Sequence, residues 1–411
     1  MKIRKLKIKN YKIFDDVEFD FTDADGNTLD TVVLAGVNGC GKTTVLEVIK
    51  DFLLHKILFS IIEKVEIEFD ILPEEFIALK NRYSQFDSYE QNLLESKGKI
   101  SFGHNAITLN SQSLDFDMGY LLAVLFGANT PHRFVYFPVS GSSNISRQKP
   151  FFEELFIGNN KAEMKQLALK QIRDEVFKNK DIPPKQVINN QIENLTRALS
   201  SLYLNTTLVD LESEELVFES ANGQRIYFEQ LSHGEQNLYF RAIYLSLLNL
   251  KDSIIMVDEP EGAFHPKWQQ GIAQLYRNVG ENNQVFLATH SPHIMASVPS
   301  ECLFMLHIDE SEGKRKIRVI NAAKAGKHSQ GLEPDRILKE IMQVKTLRDY
   351  ETQRDIDELT RLLTLESFES ERAEELADKL TTQLGREDPF IIRLEHQMLM
   401  LRRKKPDLAV A

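Results

Sequence analysis

The first fifty residues alternate between apolar and charged positions and then become continuously apolar. Two short strands with one charged face are predicted by the apolar positions Ile3, Leu6, Ile8, Val17, Phe19 and Phe21. After the turn signal Asp25-Gly26, the run Thr31–Ala35 predicts a short buried strand. A helix is predicted just beyond it, with apolar positions Val45, Leu46, Val48 and Ile49.

The pattern changes between residues 51 and 204, where short strands precede helices. Strands are predicted at Val65–Phe69, Ile100–Leu109 and Phe134–Pro138, and amphipathic helices near Phe151–Lys178 and Pro184–Leu204. No heptad run or internal repeat is evident in this segment. We therefore expect an inserted lateral lobe of mixed α+β structure over residues 51–204.

The second half returns to strands, each followed by a helix. Thr207–Glu219 and Arg225–Gln230 predict a β-hairpin joined at Asn222-Gly223. An almost wholly apolar helix runs through Leu250, and buried strands are predicted just before Asp258 and just before Thr289. Such alternation is typical of a parallel α/β sheet, which collects ligands at the carboxyl edge of its strands.

Beyond about Gly331 the chain becomes helical and charged. Two apolar stripes are predicted, one ending at Gly385 and one beginning at Asp388-Pro389, with the members Ala373, Leu376, Leu380 and Leu384, then Ile391, Leu394, Met398 and Leu401. The stripes either pack on their own domain or offer a surface for a partner or for self-association, and part of them is expected to do the latter. The run Arg402–Lys405 is expected to be a solvated helix end.

Composition narrows the class of protein without naming a function. The chain has 411 residues, 42% hydrophobic and 27% charged, with a net charge of -11, which is ordinary for a soluble globular protein. The acidic balance argues against a uniformly basic nucleic-acid coat, although a local basic groove stays possible. Cys40 and Cys302 lie far apart, which fits a reducing cytosol. We expect no signal peptide, no membrane span and a cytoplasmic location.

The motif that organises the chain is the segment Gly36–Thr43, which has the phosphate-loop spacing of Gly, four residues, Gly-Lys-Ser/Thr. Its glycines allow backbone N–H groups to turn toward a polyphosphate, and the following helix N-terminus adds partial positive charge. Lys42 is then expected to reach the terminal phosphates and Thr43 the Mg²⁺ ion. The predicted nucleotide contacts in and beside this loop are Gly36, Asn38, Gly39, Cys40, Gly41, Lys42, Thr43 and Thr44. Tyr11 and Lys12 could lie beside a bound base.

Acidic residues and a histidine follow the two later buried strands. Asp258 at a strand end is placed to hold Mg²⁺, and the next carboxylate, Glu259, to orient the attacking water. His290 follows the next strand and could donate to the γ-phosphate. We therefore predict Lys42, Glu259 and His290 as the catalytic group, with Thr43 and Asp258 as the metal ligands.

These motifs occur in the order Gly36–Thr43, Leu231–Gln236, Ile254–Glu259 and His290, and in that order they resemble the ABC ATPase superfamily. The resemblance implies an α/β head with a mixed or parallel sheet at about residues 1–50 and 205–330, and a helical C-terminal region at 331–411. It also implies ATP and Mg²⁺ as cofactors. Two heads would enclose two nucleotides, with Ser232, Gly234 and Glu235 of the signature sequence contacting the second nucleotide. His233 departs from the usual glycine or serine, and the glutamine loop has no clear position.

Within the superfamily, the opening Lys7–Phe14 and the stretch Asp258–Pro266 resemble the SMC-type branch, in particular ATPases of two-gene bacterial anti-phage systems such as PARIS, Septu and some retrons. That resemblance implies a homo-oligomeric sensor or switch that holds a separate toxic effector, commonly a nuclease, with DNA or a phage protein as a possible trigger. The alternative is an SMC-like DNA-repair clamp that closes on duplex DNA. A basic groove with salt-sensitive binding would favour the clamp.

Overall fold

A computed structural model gives the fold of the chain. It describes scattered residues between 76 and 88 and the ranges 1–53, 64–73, 100–102, 106–110, 134–138, 145–149, 152–155, 161–212, 215–248, 250–262, 264–309, 316–344, 346–365 and 370–404. The chain divides into two compact units, Met1–Met342 and Gln343–Ala411. We call them the head unit and the C-terminal unit. The predicted boundaries between head and inserted lobe remain predictions.

The described strands of the head unit form three sheets. They are β1 (Lys2–Tyr11), β2 (Phe14–Asp20), β3 (Thr31–Ala35), β4 (Lys64–Asp70), β5 (Ile100–Phe102), β6 (Ala106–Asn110), β7 (Phe134–Phe137), β8 (Ile145–Lys149), β9 (Phe152–Leu155), β10 (Thr206–Glu212), β11 (Glu215–Ser220), β12 (Arg225–Tyr227), β13 (Ile254–Asp258), β14 (Gln284–Thr289), β15 (Leu303–Asp309) and β16 (Lys316–Asn321). The largest sheet has the order β16-β15-β3-β14-β13-β7-β9-β8.

The longer helices divide between the two units. They are α1 (Lys42–Leu53), α2 (Lys161–Lys178), α3 (Pro184–Leu199), α4 (His233–Leu247), α5 (Ile272–Arg277), α6 (Tyr350–Thr364), α7 (Glu371–Leu384) and α8 (Pro389–Lys404). Short helical turns occupy Pro266–Gln269, Pro292–Met295 and Pro334–Arg336, and a π-helical turn occupies Ile337–Ile341. Among the described residues, no helix is both long enough and apolar enough to cross a lipid bilayer.

The centre of the large sheet is parallel and apolar on both faces, as the continuous apolar runs predict. Strand β14 pairs in parallel with β3 and with β13, and β13 pairs in parallel with β7. In this register Thr289 lies opposite Ala35, and Asp258 lies opposite Ala288. The carboxyl ends of β3, β13 and β14 therefore reach the same edge. The predicted mixed α/β fold class is confirmed.

A second sheet is antiparallel, with the order β2-β1-β4-β6-β5. Phe21, the residue after β2, packs on the large sheet: its ring centroid lies 5.2 Å from those of Phe286 and Phe304. The basic outer face of the antiparallel sheet is paired with acids: Lys7 lies 3.2 Å from Glu18 on the neighbouring strand. The segment 51–204 supplies β4 to this sheet and β7 to the large sheet, so it contributes to both layers of the head.

Several sequence predictions within the head unit were wrong in detail. The strand expected over Ile100–Leu109 is the antiparallel pair β5 and β6. The helix expected from about Phe151 begins at Lys161, because Phe152–Leu155 is strand β9, which pairs in parallel with β7. The strand expected over Thr207–Glu219 is the antiparallel pair β10 and β11. The turn at Asn222-Gly223 does join two strands as predicted, and Gly223 has the φ of +78° that such a turn favours.

The C-terminal unit has an apolar core of its own, formed by the two predicted stripes and by α6. The buried members of this core are Ile356, Leu359, Leu363, Ala373, Leu376, Leu380, Ile391 and Leu394, with Met398 and Leu401 partly buried against them. The buried stripe side chains contact one another within this unit, whereas Ile392 and Leu399 of α8 are exposed. That part of this region forms a surface for a partner or for self-association stays a prediction. The side chains of Arg402–Lys405 lie outside the described residues.

Candidate nucleotide site

The phosphate loop lies at the carboxyl end of β3 and has a backbone that requires glycine. Gly36, Gly39 and Gly41 have φ angles of +154°, +78° and +99°. A Cβ on Gly36 would lie 2.6 Å from Cys40 Sγ, and one on Gly41 would lie 2.7 Å from the ring of Phe14. The β1–β2 turn and the buried Cys40 side chain therefore fix the shape of the loop, and no larger residue fits at either position.

The loop lysine is held inside the loop. Lys42 Nζ donates to the carbonyl oxygens of Gly36, at 2.8 Å, and Val37, at 3.2 Å, and the residue is only 7% exposed. Neither bond is to a carboxylate. A buried ammonium group whose partners are two loop carbonyls suits a polyphosphate ligand, because anionic oxygens bind it more strongly than neutral carbonyls do.

The two predicted metal ligands are in contact although 215 residues separate them. Thr43 Oγ1 donates to Asp258 Oδ1 at 3.1 Å. Asp258 is 2% exposed, and burial raises its pKa to about 6. Its second oxygen, Oδ2, is buried without a hydrogen-bond partner among the described residues. A hydroxyl beside a carboxylate with a free buried oxygen is an all-oxygen donor set, and it fits Mg²⁺.

The two other predicted catalytic residues lie at neighbouring strand ends. Glu259 has a φ of +45°, and its N–H donates to the carbonyl oxygen of Ala288 on β14 at 2.8 Å. Its carboxylate lies 3.9 Å from His290 Nδ1, and both side chains are partly exposed. Glu259 is thus held in a rarely adopted backbone conformation beside His290, next to the metal ligand. Such strain is common where a side chain must point in one direction.

A second glutamate, Glu261, lies between these strand ends and was not predicted from the sequence. Its side chain is 6% exposed, and Oε1 lies 3.2 Å from His290 Nδ1. The same oxygen accepts hydrogen bonds from Thr289 Oγ1 and from the backbone N–H groups of His290 and Ser291. The available signal was a third acid soon after the strand end, in the run Asp258–Glu261.

The signature segment forms the N-terminus of α4. Ser232 is the N-cap and accepts a bond from the Glu235 N–H, while both its own N–H and its hydroxyl donate to Glu235 Oε2. Glu235 Oε1 also accepts a bond from Thr206 Oγ1 at 2.9 Å. The carboxylate of Glu235 therefore holds Ser232. Nucleotide contacts from Ser232, Gly234 and Glu235 stay predictions.

The remaining predicted residues are divided between loop and surface. Asn38 in the loop is exposed, and Thr44 in the first turn of α1 is half-buried, so both are accessible. Lys12 Nζ donates to Glu47 Oε2 at 2.7 Å and lies 5.3 Å from the centroid of the Tyr11 ring, so it is already engaged. The glutamine loop has no assigned position. Residues 139–144, which follow β7, lie outside the described part of the chain.

Two family models match the chain. Residues 1–114 match a model described as "AAA ATPase domain", and residues 124–296 match one described as "AAA domain, putative AbiEii toxin, Type IV TA system". The matched regions include the phosphate loop in the first case and the Asp258-Glu259 strand end with His290 in the second.

Curated relatives match over spans of different length. The Septu protein PtuA of Bacillus mycoides (strain KBAB4) is 24% identical over 75% of this chain and 41% of its own length. The retron Vc95 probable ATPase of Vibrio cholerae serotype O1 biovar El Tor is 31% identical over 24% of this chain and 19% of its own length. This chain is therefore similar to a Septu protein and to a probable ATPase of a retron. These matches confirm the predicted resemblance to proteins of Septu and retron systems, and the chain spans less than half the length of either relative.

Solved structures of SMC heads are also similar. The "SmcHead bound to the C-winged helix domain of ScpA" has a TM-score of 0.48 at 14% identity, covering 79% of this chain and 100% of that one. The "SMC head domain from Thermotoga maritima" has a TM-score of 0.41 at 14% identity, covering 78% of this chain and 99% of that one.

Proposed function

We propose that the head unit binds ATP with Mg²⁺ and hydrolyses it to ADP and phosphate. The observation that carries this proposal is the contact between Thr43 Oγ1 and Asp258 Oδ1 at the shared carboxyl edge of β3 and β13. It joins the phosphate loop to the acidic strand end, and it brings the unpartnered Asp258 oxygen to the start of α1. A glycine turn without a ligand gives no reason for that arrangement.

Each of the chain's own groups has one role in this proposal. The loop N–H groups and Lys42 bind the β- and γ-phosphates, and Thr43 and Asp258 would hold Mg²⁺, which supplies charge neutralisation at the phosphate oxygens. Glu259 orients the attacking water and accepts its proton. His290 follows β14, the strand between β3 and β13, and contacts the terminal phosphate when nucleotide is bound.

The proposal is tested by phosphate release from the purified protein, with and without Mg²⁺. Thr43→Val should lower Mg²⁺-dependent turnover at least tenfold, because the hydroxyl that faces Asp258 is lost. Thr207→Val, an exposed position on β10, is the matched control and should leave turnover unchanged. Equal turnover in the Thr43 variant and the control would contradict a role for this edge of the sheet in ATP hydrolysis.

The assembly we propose is a pair of heads that encloses two nucleotides. Ser232 at the N-terminus of α4 is exposed, and its helix start has the partial positive charge that suits a phosphate of the second nucleotide. Glu259→Gln should bind ATP without hydrolysing it, so the closed pair should accumulate. Adding ATP to this variant should raise the mass measured by light scattering from one chain to two. A monomer under those conditions would contradict the paired arrangement.

The names of the relatives support a role in anti-phage defence, in which this ATPase works as a switch that holds or releases a separate effector, a nuclease in our proposal. The chain itself is proposed to be cytoplasmic. Deleting its gene should abolish phage resistance in the native host, and the purified native complex should contain a nuclease subunit. Retained resistance after deletion would contradict the defence role.

The alternative, a clamp on duplex DNA, gains no support from the described surface. The basic strand β1 is paired with acids, such as Lys7 with Glu18 and Arg4 with Glu68 at 3.4 Å. Phosphate binding requires cations that are free to replace released counterions. We therefore keep DNA as a possible trigger only.

A further inference from the structure

Glu261 joins the two loops that carry the predicted catalytic residues. It follows β13 by three residues, whereas the groups that it accepts from, Thr289, His290 and Ser291, lie at the end of β14. The three bonds to Oε1 measure 2.7, 2.8 and 3.1 Å. One carboxylate oxygen therefore fixes three consecutive residues across about thirty positions of sequence.

A neighbouring contact reinforces this link. Ser291 Oγ donates to Gln269 Oε1 at 2.6 Å, and Gln269 belongs to the short helical turn that follows the Glu261 loop. Both anchors of the His290 segment thus come from the chain between β13 and α5. While these bonds persist, the backbone of His290 cannot move independently of the Glu259 segment.

The environment of Glu261 is not that of a residue placed for stability alone. Its side chain is 6% exposed, and its second oxygen, Oε2, is buried without a hydrogen-bond partner among the described residues. Leaving a buried acceptor unpaired costs free energy of folding. The carboxylate also lies within 3.2 Å of Nδ1 of His290, so it faces the ring as well as the backbone.

We propose that Glu261 is a positioning residue that sets where the His290 ring stands relative to Glu259. The proposal rests on the ATPase function above. In this proposal Glu261 does not contact the nucleotide but acts through His290. Its carboxylate holds residues 289–291 in place and faces Nδ1 of the ring. The other ring nitrogen, Nε2, lies farther from the carboxylate. A displacement of about 1 Å at a reacting group can cost up to a hundredfold in rate, so loss of this anchor should be visible in turnover.

The first test compares three variants by steady-state ATP hydrolysis. Glu261→Ala removes every bond and should lower kcat at least tenfold with KM changed less than twofold, because the phosphate loop is intact. Glu261→Gln keeps an acceptor oxygen at the same position and should retain kcat within about threefold of wild type. Glu175→Ala, at another buried glutamate that lies in α2, is the matched control and should leave kcat unchanged.

A double-mutant cycle then separates positioning from structural support. In a His290→Ala background, Glu261→Ala should lower kcat by less than twofold further, because the residue through which it acts is absent. A further tenfold fall in that background would overturn the proposal. So would wild-type kcat in Glu261→Ala, or equal losses in the Ala and Gln variants.

Hydrogen exchange gives a result that does not depend on turnover. Glu261→Ala should speed exchange in the peptide 289–296 at least tenfold, and Glu261→Gln should leave it near wild type. If the wild-type protein proves to have no ATPase activity, the proposed function fails while this measurement still tests the anchor. Unchanged exchange in Glu261→Ala would overturn the proposal independently.

Discussion

Two aspartates, one in each unit, are almost equally buried and yet have opposite electrostatic surroundings. Asp258 in the head unit is 2% exposed, and Asp355 in α6 of the C-terminal unit is 1% exposed. Burial raises the pKa of Asp258 to about 6. Hydrogen bonds from Lys379 and Arg354 lower the pKa of Asp355 below its ordinary value of 3.8. A low exposed fraction therefore does not by itself fix the pKa of a carboxylate, because charged partners can outweigh the effect of burial.

The difference shows how the two regions are organised. At the carboxyl edge of the large sheet, Asp258 Oδ2 has no hydrogen-bond partner among the described residues, and Glu259 has a positive φ. Both features cost folding free energy. In the C-terminal unit the polar groups are paired locally, and Arg348 bridges both oxygens of Asp388 at 2.8 and 2.9 Å. We infer that changes at the edge will mainly alter activity, whereas changes in the C-terminal unit will mainly alter stability.

The largest effect is expected at Glu259. Glu259→Gln keeps the shape of the side chain but removes the base, so ATP turnover should fall roughly a thousandfold while ATP binding persists. The melting temperature should change little, because the side chain is partly exposed. Turnover is measured by phosphate release and binding by calorimetry. Near wild-type turnover would contradict the assignment of Glu259 as the base, and with it the inference that changes at this edge mainly alter activity.

That the candidate site residues come together at one edge of the large sheet was predictable from the sequence, because they lie at or just beyond strand ends. Thr43, Asp258 and His290 each follow a buried apolar run, and parallel strands bring such ends together regardless of sequence separation. The sequence did not predict Glu261, because that role depends on which loop lies beside the end of β14. The predicted nucleotide contact from Glu235 stays a prediction; in the structure its carboxylate accepts hydrogen bonds from Ser232 and Thr206.

In the C-terminal unit the helices were predictable and their packing was not. Helix α7 is capped by Ser370 and ends at Gly385, which has a φ of +80°, as the residue types indicate. A stripe of leucines predicts that one face of a helix is buried, but it does not predict which element packs against that face. The stripe residues proved to face one another, and the exposed Ile392 and Leu399 had no distinguishing pattern.

The next largest effect is expected in the apolar core of the C-terminal unit. Leu380 is fully buried there, so Leu380→Ala should destabilise this unit by about 3 kcal/mol. Hydrogen exchange in α6 and α7 measures the loss. Leu365→Ala, at a residue that is 61% exposed, is the control and should have little effect. If ATP turnover in the Leu380→Ala variant fell in parallel with the stability of the C-terminal unit, the inferred separation between the two regions would be wrong.

A somewhat smaller effect is expected from ligand binding to the head unit. MgATP at a hundred times its dissociation constant should stabilise the wild-type head by about 2.7 kcal/mol, and Lys42→Ala should abolish that shift. The protein has one tryptophan, Trp268, and its fluorescence reports unfolding of the head unit. Lys316→Ala, exposed on β16, should keep the shift. A preserved shift without Lys42 would place the nucleotide elsewhere.

The smallest effects test the two aspartates directly, in protein freed of metal with a chelator. Asp258→Asn should stabilise the head unit at pH 7.5 by on the order of 2 kcal/mol, because the amide avoids a buried, unpaired charge. Asp355→Asn should destabilise the C-terminal unit, because Lys379 and Arg354 lose their partner. Trp268 fluorescence follows the first variant, and hydrogen exchange in α6 follows the second.

The pH dependence of the two effects should have opposite signs. The folded-state pKa of Asp258 lies above its unfolded value of 3.8, so the head gains stability from this group as the pH falls through 6. The stability advantage of the Asp258→Asn variant over wild type should therefore shrink between pH 7 and pH 4. The folded-state pKa of Asp355 lies below 3.8, so its contribution is present above that pH and is lost below it. If both variants shifted stability in the same direction at pH 7.5, burial rather than pairing would govern both sites.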